Sequence, residues 1–455
     1  QQPDDLGPPT TSTSIAPLLF LLSVYISNQW ARSLIFYLTD FSASTTPNPF
    51  AHINTSLNLS NSQYGLLASL YFTILFSTVS LLAGTISDKF PNKEKQLTIL
   101  SGVGLSLSMV MMGLSNSFSS LALSRFLTGV ACAFTTPSGY KYLQNLYGNG
   151  STNINSSTKN SISPDFASGL YSTAVYLGGA FSSLSILLDE KFGWANTSFA
   201  VGGVCALVTL LNVLFLPNLD NKTIQISDNK TENNNDNDNG LAQGESTIQI
   251  ATSILSQNSI LYLATFFRFA AGLTLGIWGA SYFKGSFPDS TASYALTNAV
   301  VVGVFGGSSA ILGGQLSTTV GKRYGPDNRL LIPAIGSLIT TIPFFLIFSS
   351  SSSFYFAMAM LAASYFLCEN WFAPTIAVLC SRVGKDRQGT ALGLFTVLGG
   401  LANAAPAAVG WAVESTQYEL RDVLSVGVTS LYLISSLLFF FDLRFNNNKL
   451  KDLNE

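Results

Sequence analysis

Gly84-Thr85-Ile86-Ser87-Asp88-Lys89-Phe90-Pro91-Asn92-Lys93 follows one long apolar run, and Gly314-Gln315-Leu316-Ser317-Thr318-Thr319-Val320-Gly321-Lys322-Arg323 follows another, 230 positions later. The register between them is ungapped and extends upstream. Ser60 aligns with Ser290, Tyr64 with Tyr294, Leu66 with Leu296, Gly84 with Gly314 and Lys93 with Arg323. The chain therefore reads as two copies of one unit. Parallel repeats related by an axis along the membrane normal are a design in which two halves rock about a shared midplane site.

Outward from these two loops, the apolar runs number twelve. They cover about 15–38, 63–87, 97–115, 118–141, 166–188, 198–217, 256–281, 293–317, 330–349, 353–380, 389–412 and 422–442. Runs of ~20 residues at 1.5 Å per residue match the ~30 Å hydrocarbon layer of a bilayer. They lack period-2 alternation, so helices rather than barrel strands satisfy their backbone groups in lipid. Charged residues are only 10% of the 455, against about 25% in a soluble domain. The expectation is an all-α membrane protein of twelve transmembrane helices in two pseudo-symmetric six-helix bundles. Its parts are a tail at 1–14, a first bundle at 15–217, a polar linker at 218–252, a second bundle at 253–443 and a tail at 444–455. The linker holds Asn233-Asn234-Asn235-Asp236-Asn237-Asp238-Asn239 and is expected to be mobile.

Basic residues give the orientation. If both termini are cytosolic, the even-numbered connections and the C-terminal tail hold sixteen Lys and Arg, among them Lys89, Lys93, Lys322 and Arg323, whereas the odd-numbered connections hold three, Lys191, Lys284 and Arg421. That is a positive-inside bias. The sequons at Asn54, Asn58 and Asn196 then fall outside and are candidates for glycosylation; they point to the plasma membrane or an endomembrane rather than an organelle inner membrane. The chain begins Gln1-Gln2-Pro3, with no initiator Met and no signal pattern, so the native N-terminus is expected to be missing or processed.

Several function classes drop out. A net charge of −2 gives no basic surface for nucleic acid. His52 is the single histidine and lies in a predicted loop, which argues against His catalysis or a His metal site. Cys132, Cys205, Cys368 and Cys380 fall within spans without CxxC spacing and read as small packing residues. No nucleotide loop, metal cluster or nucleophile triad is present, so the chain reads as no enzyme and needs no cofactor beyond a coupling proton or other ion. Its expected partners are a small solute and the lipid bilayer.

Four ionisable side chains lie well inside spans: Arg32, Arg125, Arg268 and Glu369. Each costs at least ~2.5–3.5 kcal/mol to insert at the bilayer centre, so such residues normally face water and mark a pathway. Arg268 is ~16 Å into the seventh span, near the midplane. Three positive charges against one negative favour a small organic anion or zwitterion, because a guanidinium matches carboxylate or phosphate bidentately. Arg32 and Arg268 are the expected anion ligands. Glu369 is expected to pair with an Arg or to bind an ammonium or a proton. Asn28, Gln29, Asn370 and Trp371 are expected to complete the site, with Trp278 and Asn403 as further polar neighbours. Pro406 is expected to kink the eleventh span.

Asp88 sits at a helix C-terminus, where the macrodipole disfavours a carboxylate by ~0.3–1 kcal/mol. The free N–H groups at the start of the eleventh span, near Gly389, would suit it. Gly84, Asp88, Lys89 and Lys93, with their counterparts Gly314, Lys322 and Arg323, are therefore a candidate latch between the halves, and Arg125 a candidate brace or gate residue. The two loops resemble the Gly-x-x-x-Asp-Arg/Lys-x-Gly-Arg/Lys-Arg/Lys signature of the major facilitator superfamily. Arg125-x-x-x-Gly129 resembles that family's fourth-helix motif. Asn28-Gln29-Trp30-Ala31-Arg32 and Glu369-Asn370-Trp371-Phe372-Ala373-Pro374 are similar to the Spinster-like branch, except that Ala31 and Cys132 stand where that branch carries acids. The resemblance implies the major facilitator fold and secondary or facilitative transport by alternating access. A transporter-like structural or receptor subunit of a larger complex, and a lysolipid or lipid transporter of Spinster-like type, are the alternatives.

Overall fold

A computed structural model describes residues 15–42, 52–89, 93–148, 164–218, 247–349, 353–384, 387–416 and 418–452. Each of the twelve predicted spans is helical, and no strand occurs among the described residues. Among the described residues, eight stretches are long and apolar enough to cross a membrane. One of them, Ala167–Phe215, holds both the fifth and the sixth span, which meet at Gly193 with φ +78. The first, second and tenth spans are not among those eight. The first, Ala16–Tyr37, is diluted by Ser, Asn, Gln and Arg. The second divides at Ser69 into Asn61–Ala68 and Leu70–Lys89. The tenth divides into Phe354–Cys368 and Phe372–Arg382, with Glu369, Asn370 and Trp371 between.

Other helices depart from regularity too. The eighth span runs Thr291–Val300, a π-helical turn Val301–Gly306, then Gly307–Tyr324. The eleventh breaks between Leu401 and Ala404. The predicted linker lies mostly outside the described residues, but its end is not loose: a helix, Thr247–Gln257, leads into the seventh span, Ser259–Ser286.

Within the first half the first span packs on the fifth and sixth, and the third on the fourth and sixth; within the second half the twelfth packs on the seventh and ninth. Both halves tie an acid at the start of the third helix to a base at the end of the fourth. Glu94 meets Lys141 at 3.8 Å, and Asp327 meets Arg382 at 2.7 Å, with Asp442 adding a 2.6 Å contact to the same guanidinium.

The halves are joined at one end. Buried apolar residues there form a single cluster running through both, including Leu34, Tyr64, Trp278, Phe283 and Tyr294. At the other end the core divides. Leu21, Tyr142 and Tyr171 centre one cluster in the first half, and Tyr262, Leu379 and Phe439 centre another in the second. The joined end carries residues 38–42 and 52–60 and is the expected outer end.

Candidate functional site in the membrane interior

The interruption of the tenth span places a carboxylate where a continuous helix would bury its backbone. Glu369 caps the helix Phe354–Cys368 at its C-terminus. Its neighbours leave little room for a different path: a Cβ on Gly313 would come within 2.5 Å of Asn370 O, and one on Gly336 within 2.5 Å of Leu367 O. Arg268, in the middle of the seventh span, fills the gap. Its Nη2 donates to Cys368 O at 2.7 Å and to Glu369 Oε1 at 3.1 Å. Its guanidinium also lies over the rings of Trp371, at 5.0 Å, and Tyr432, at 4.8 Å. Arg268 is buried and its Nε has no partner.

Glu369 keeps one oxygen for the other half. Its side chain is 19% exposed, and Oε2 accepts a long hydrogen bond, 3.4 Å, from Tyr176 OH on the fifth span. The Tyr176 ring lies against Gly306, the last residue of the π-helical turn in the eighth span; a Cβ there would come within 2.8 Å of the ring. Arg268, Glu369 and Tyr176 thus form a chain that crosses from the second half to the first.

The first half holds its charges differently. Arg32 is partly exposed, lies over the rings of Phe72 at 4.8 Å and Phe76 at 5.4 Å, and has no carboxylate partner among the described residues. Arg125 is buried and braces three helices: its Nε donates to Leu67 O at 3.1 Å and its Nη1 to Arg32 O at 3.2 Å. The Phe72 ring faces both guanidinium groups, with Arg125 at 5.3 Å.

Of the candidate site residues, the structure brings Arg268, Glu369 and Trp371 together. Arg32 stands apart from them, with Arg125. Asn28 and Gln29 are buried inside the first half. Asn28 donates to Thr135 Oγ1 at 2.8 Å, and Gln29 packs under Gly178. Asn370 donates to Leu367 O at 3.0 Å and so stabilises the break in its own span. Trp278 lies about 15 Å further along the seventh helix than Arg268, where its Nε1 donates to Pro406 O at 2.8 Å. Asn403 caps the inner segment of the eleventh span through Gly399 O and Gly400 O.

For the latch, the backbone is helical through Gly84, Asp88 and Lys89, and their side chains lie outside the described residues. Lys93, Lys322 and Arg323 are exposed, and Arg323 stacks on its own neighbour Tyr324 at 5.4 Å. Gly314 faces Ala373 within the second half. Among the sequons, Asn58 and Asn196 are exposed. Asn54 is buried, and its amide exchanges hydrogen bonds with the backbone N–H and C=O of Asp40 at 2.9 and 2.8 Å, which uses the nitrogen a glycan would need.

Sequence reasoning did not single out Tyr176 or Tyr432, and it read Cys368 as a packing residue. A phenol in an apolar span looks like packing until its partner is known. The usable signal was Glu369-Asn370-Trp371, three residues poorly suited to the middle of a span, which announces a break and hence a cluster around it.

The sequence profile described as Major Facilitator Superfamily matches residues 33–406. Among solved structures, the chain is similar to a bacterial homologue of the human lysosomal transporter Spinster in an inward-facing, unoccupied conformation, with 17% identity, a TM-score of 0.67 and 96% of each chain covered. It is also similar to the nucleoside transporter NupG, with 13% identity, a TM-score of 0.63, and 95% of this chain and 98% of that one covered. A POT family transporter in complex with a thioalcohol-conjugated peptide gives 12% identity, a TM-score of 0.67 and 96% of each chain. At these identities the likeness concerns the fold. No curated protein sequence matches the chain.

Proposed function

The chain belongs to the Major Facilitator Superfamily, an integral multi-pass membrane transporter and not an enzyme, and on that premise we propose that it moves a small organic anion or zwitterion by alternating access. The observation that carries this reading is the crossing chain Arg268–Glu369–Tyr176, with Arg32 left unpaired in the opposite half. A site of that kind is neutral on one side and positive on the other. An incoming carboxylate finds Arg32 already desolvated on two aromatic faces and without a competing acid. A substrate ammonium, or a proton, would take the oxygen of Glu369 that now accepts only from Tyr176. Occupying it breaks a polar tie between the halves, which couples binding to rocking.

The positive-inside bias puts the joined end outside. The undivided outer core and the divided inner core are then those of a transporter closed to the outside. The test is a proteoliposome uptake screen of small organic anions and zwitterions with the wild type and Arg32→Gln. The expected result is uptake of at least one anionic class by the wild type and a loss of at least about tenfold in the variant, the size of one charge-assisted contact. Equal uptake by both would sink the proposal.

A further inference from the structure

The outer end holds a second buried charge cluster, well away from Glu369. Lys284, at the end of the seventh span, is 1% exposed, and its Nζ donates to Tyr37 O at 2.7 Å and Thr39 O at 3.0 Å. Those are the free carbonyls at the C-terminus of the first span, so a lysine of one half caps a helix of the other. Beside it, His52 Nδ1 and Asp189 Oδ2 share a hydrogen bond of 2.8 Å. Asp189 is 0% exposed, and its second oxygen, Oδ1, has no partner. Asp189 precedes the turn at Gly193 that separates the fifth and sixth spans. The other charged groups in electrostatic reach are Asp40, Glu190 and Lys284. Residues 43–51 of the same loop carry no ionisable side chain.

We propose that the outer gate carries its own proton-binding site, the His52–Asp189 pair, and that protonation there strengthens the Lys284 lock that closes the outer side. The charge balance sets the direction. With His52 neutral, two buried carboxylates (Asp40, Asp189) and the exposed Glu190 lie in electrostatic reach of one ammonium (Lys284), a net −2; one added proton makes it −1. A buried cluster with excess negative charge binds protons more tightly than the same groups opened to water. A group whose affinity for protons is higher in the closed state favours closure at low pH, and that contribution is lost as pH rises through its closed-state pKa. Acid outside therefore holds the gate shut, and alkali loosens it.

The inference rests on alternating access but not on the identity of the substrate. It is tested without substrate, on the full chain in lipid nanodiscs. Spin labels are placed at Asn196→Cys and Thr416→Cys, in a background with the four native cysteines replaced. The inter-label distance then reports the outer gate. In the wild type the closed population rises from about pH 8 to about pH 5, by up to about tenfold per pH unit for each coupled proton. Asp189→Asn, nearly isosteric, loses that response and stays closed. Lys284→Met is more open at both pH values. If Asp189→Asn does not fold, His52→Gln is the second variant, with a reduced response expected. A wild type that ignores pH while Lys284→Met opens would overturn the proton site alone, as would a wild-type response in Asp189→Asn. A distance that never changes in any variant would overturn alternating access as well.

Discussion

Arg268 in the seventh span spends its guanidinium on Cys368 O and Glu369 and is sealed between two rings, whereas Arg32 in the first span keeps two rings and no acid. The first and seventh spans occupy equivalent places in the two repeats, yet only one of them is electrically closed. The difference teaches what each arginine can do. A buried pair is costly to break and is best read as structure that a ligand can compete for. A partly exposed guanidinium with no acid beside it costs little to remove and is free to bind.

The sharpest way to break this comparison is to remove the acid. Glu369→Ala leaves Arg268 buried with its charge uncompensated, and losing one partner of a buried pair costs about 3–5 kcal/mol. The melting temperature in detergent should fall well below the wild type. Glu369→Gln, which still offers Arg268 an oxygen, should recover much of that loss. An unchanged melt in Glu369→Ala would mean that the pair carries no structural weight, and the contrast between the arginines would disappear.

Removing the other arginine should act in the opposite sense. Arg32→Gln gives up two cation–π contacts of about 0.5–1 kcal/mol each in a partly exposed place, so the fold changes by little. Uptake of the anionic substrate should fall by about tenfold or more, since one charge-assisted contact is worth about 1.5–3 kcal/mol. Melting and uptake measured on the same preparation separate the two effects. A large stability loss with unchanged uptake would make Arg32 a brace like Arg125.

The same contrast explains what could be read in advance. Helical spans follow from apolar length, and the all-helical membrane fold was legible because lipid leaves the backbone no alternative. The repeat was legible as well, but not its detail. Ser60 forms a capping box with Gln63, while its counterpart Ser290 ends a 3₁₀ turn and makes no side-chain cap. Tyr64 donates across the halves to Ile277 O at 2.7 Å, while Tyr294 stacks on Phe283 at 4.9 Å. Arg268 and Glu369 stood out because a charge in a span is expensive. Asn28 and Gln29 stood out for the same reason, but amides can be satisfied inside one bundle, and Asn28 is. Tyr176 and the outer group of His52, Asp189 and Lys284 were not legible. Their meaning lies in contacts 137 to 247 positions apart, and no local pattern encodes those.

Tyr176 carries the smallest effect and the finest test of the comparison. Its hydroxyl reaches Glu369 at 3.4 Å, long for a hydrogen bond, so Tyr176→Phe should cost no more than about 0.5–1.5 kcal/mol in a melt. Its consequence for transport has a definite sign. If the phenol holds Glu369 between the halves, removing it frees the carboxylate oxygen and loosens the midplane tie without touching Arg268. Apparent substrate affinity should then change by less than about tenfold, while the rate of exchange between facing states changes with it. Gly306→Ala is the companion, because its methyl would push the ring from the other side while leaving the hydroxyl in place. If both variants alter the exchange rate and neither alters the melt by more than the loss of one weak hydrogen bond, Glu369 is shared between the halves. If neither does, Glu369 belongs to Arg268 alone, and the crossing chain is a contact without consequence.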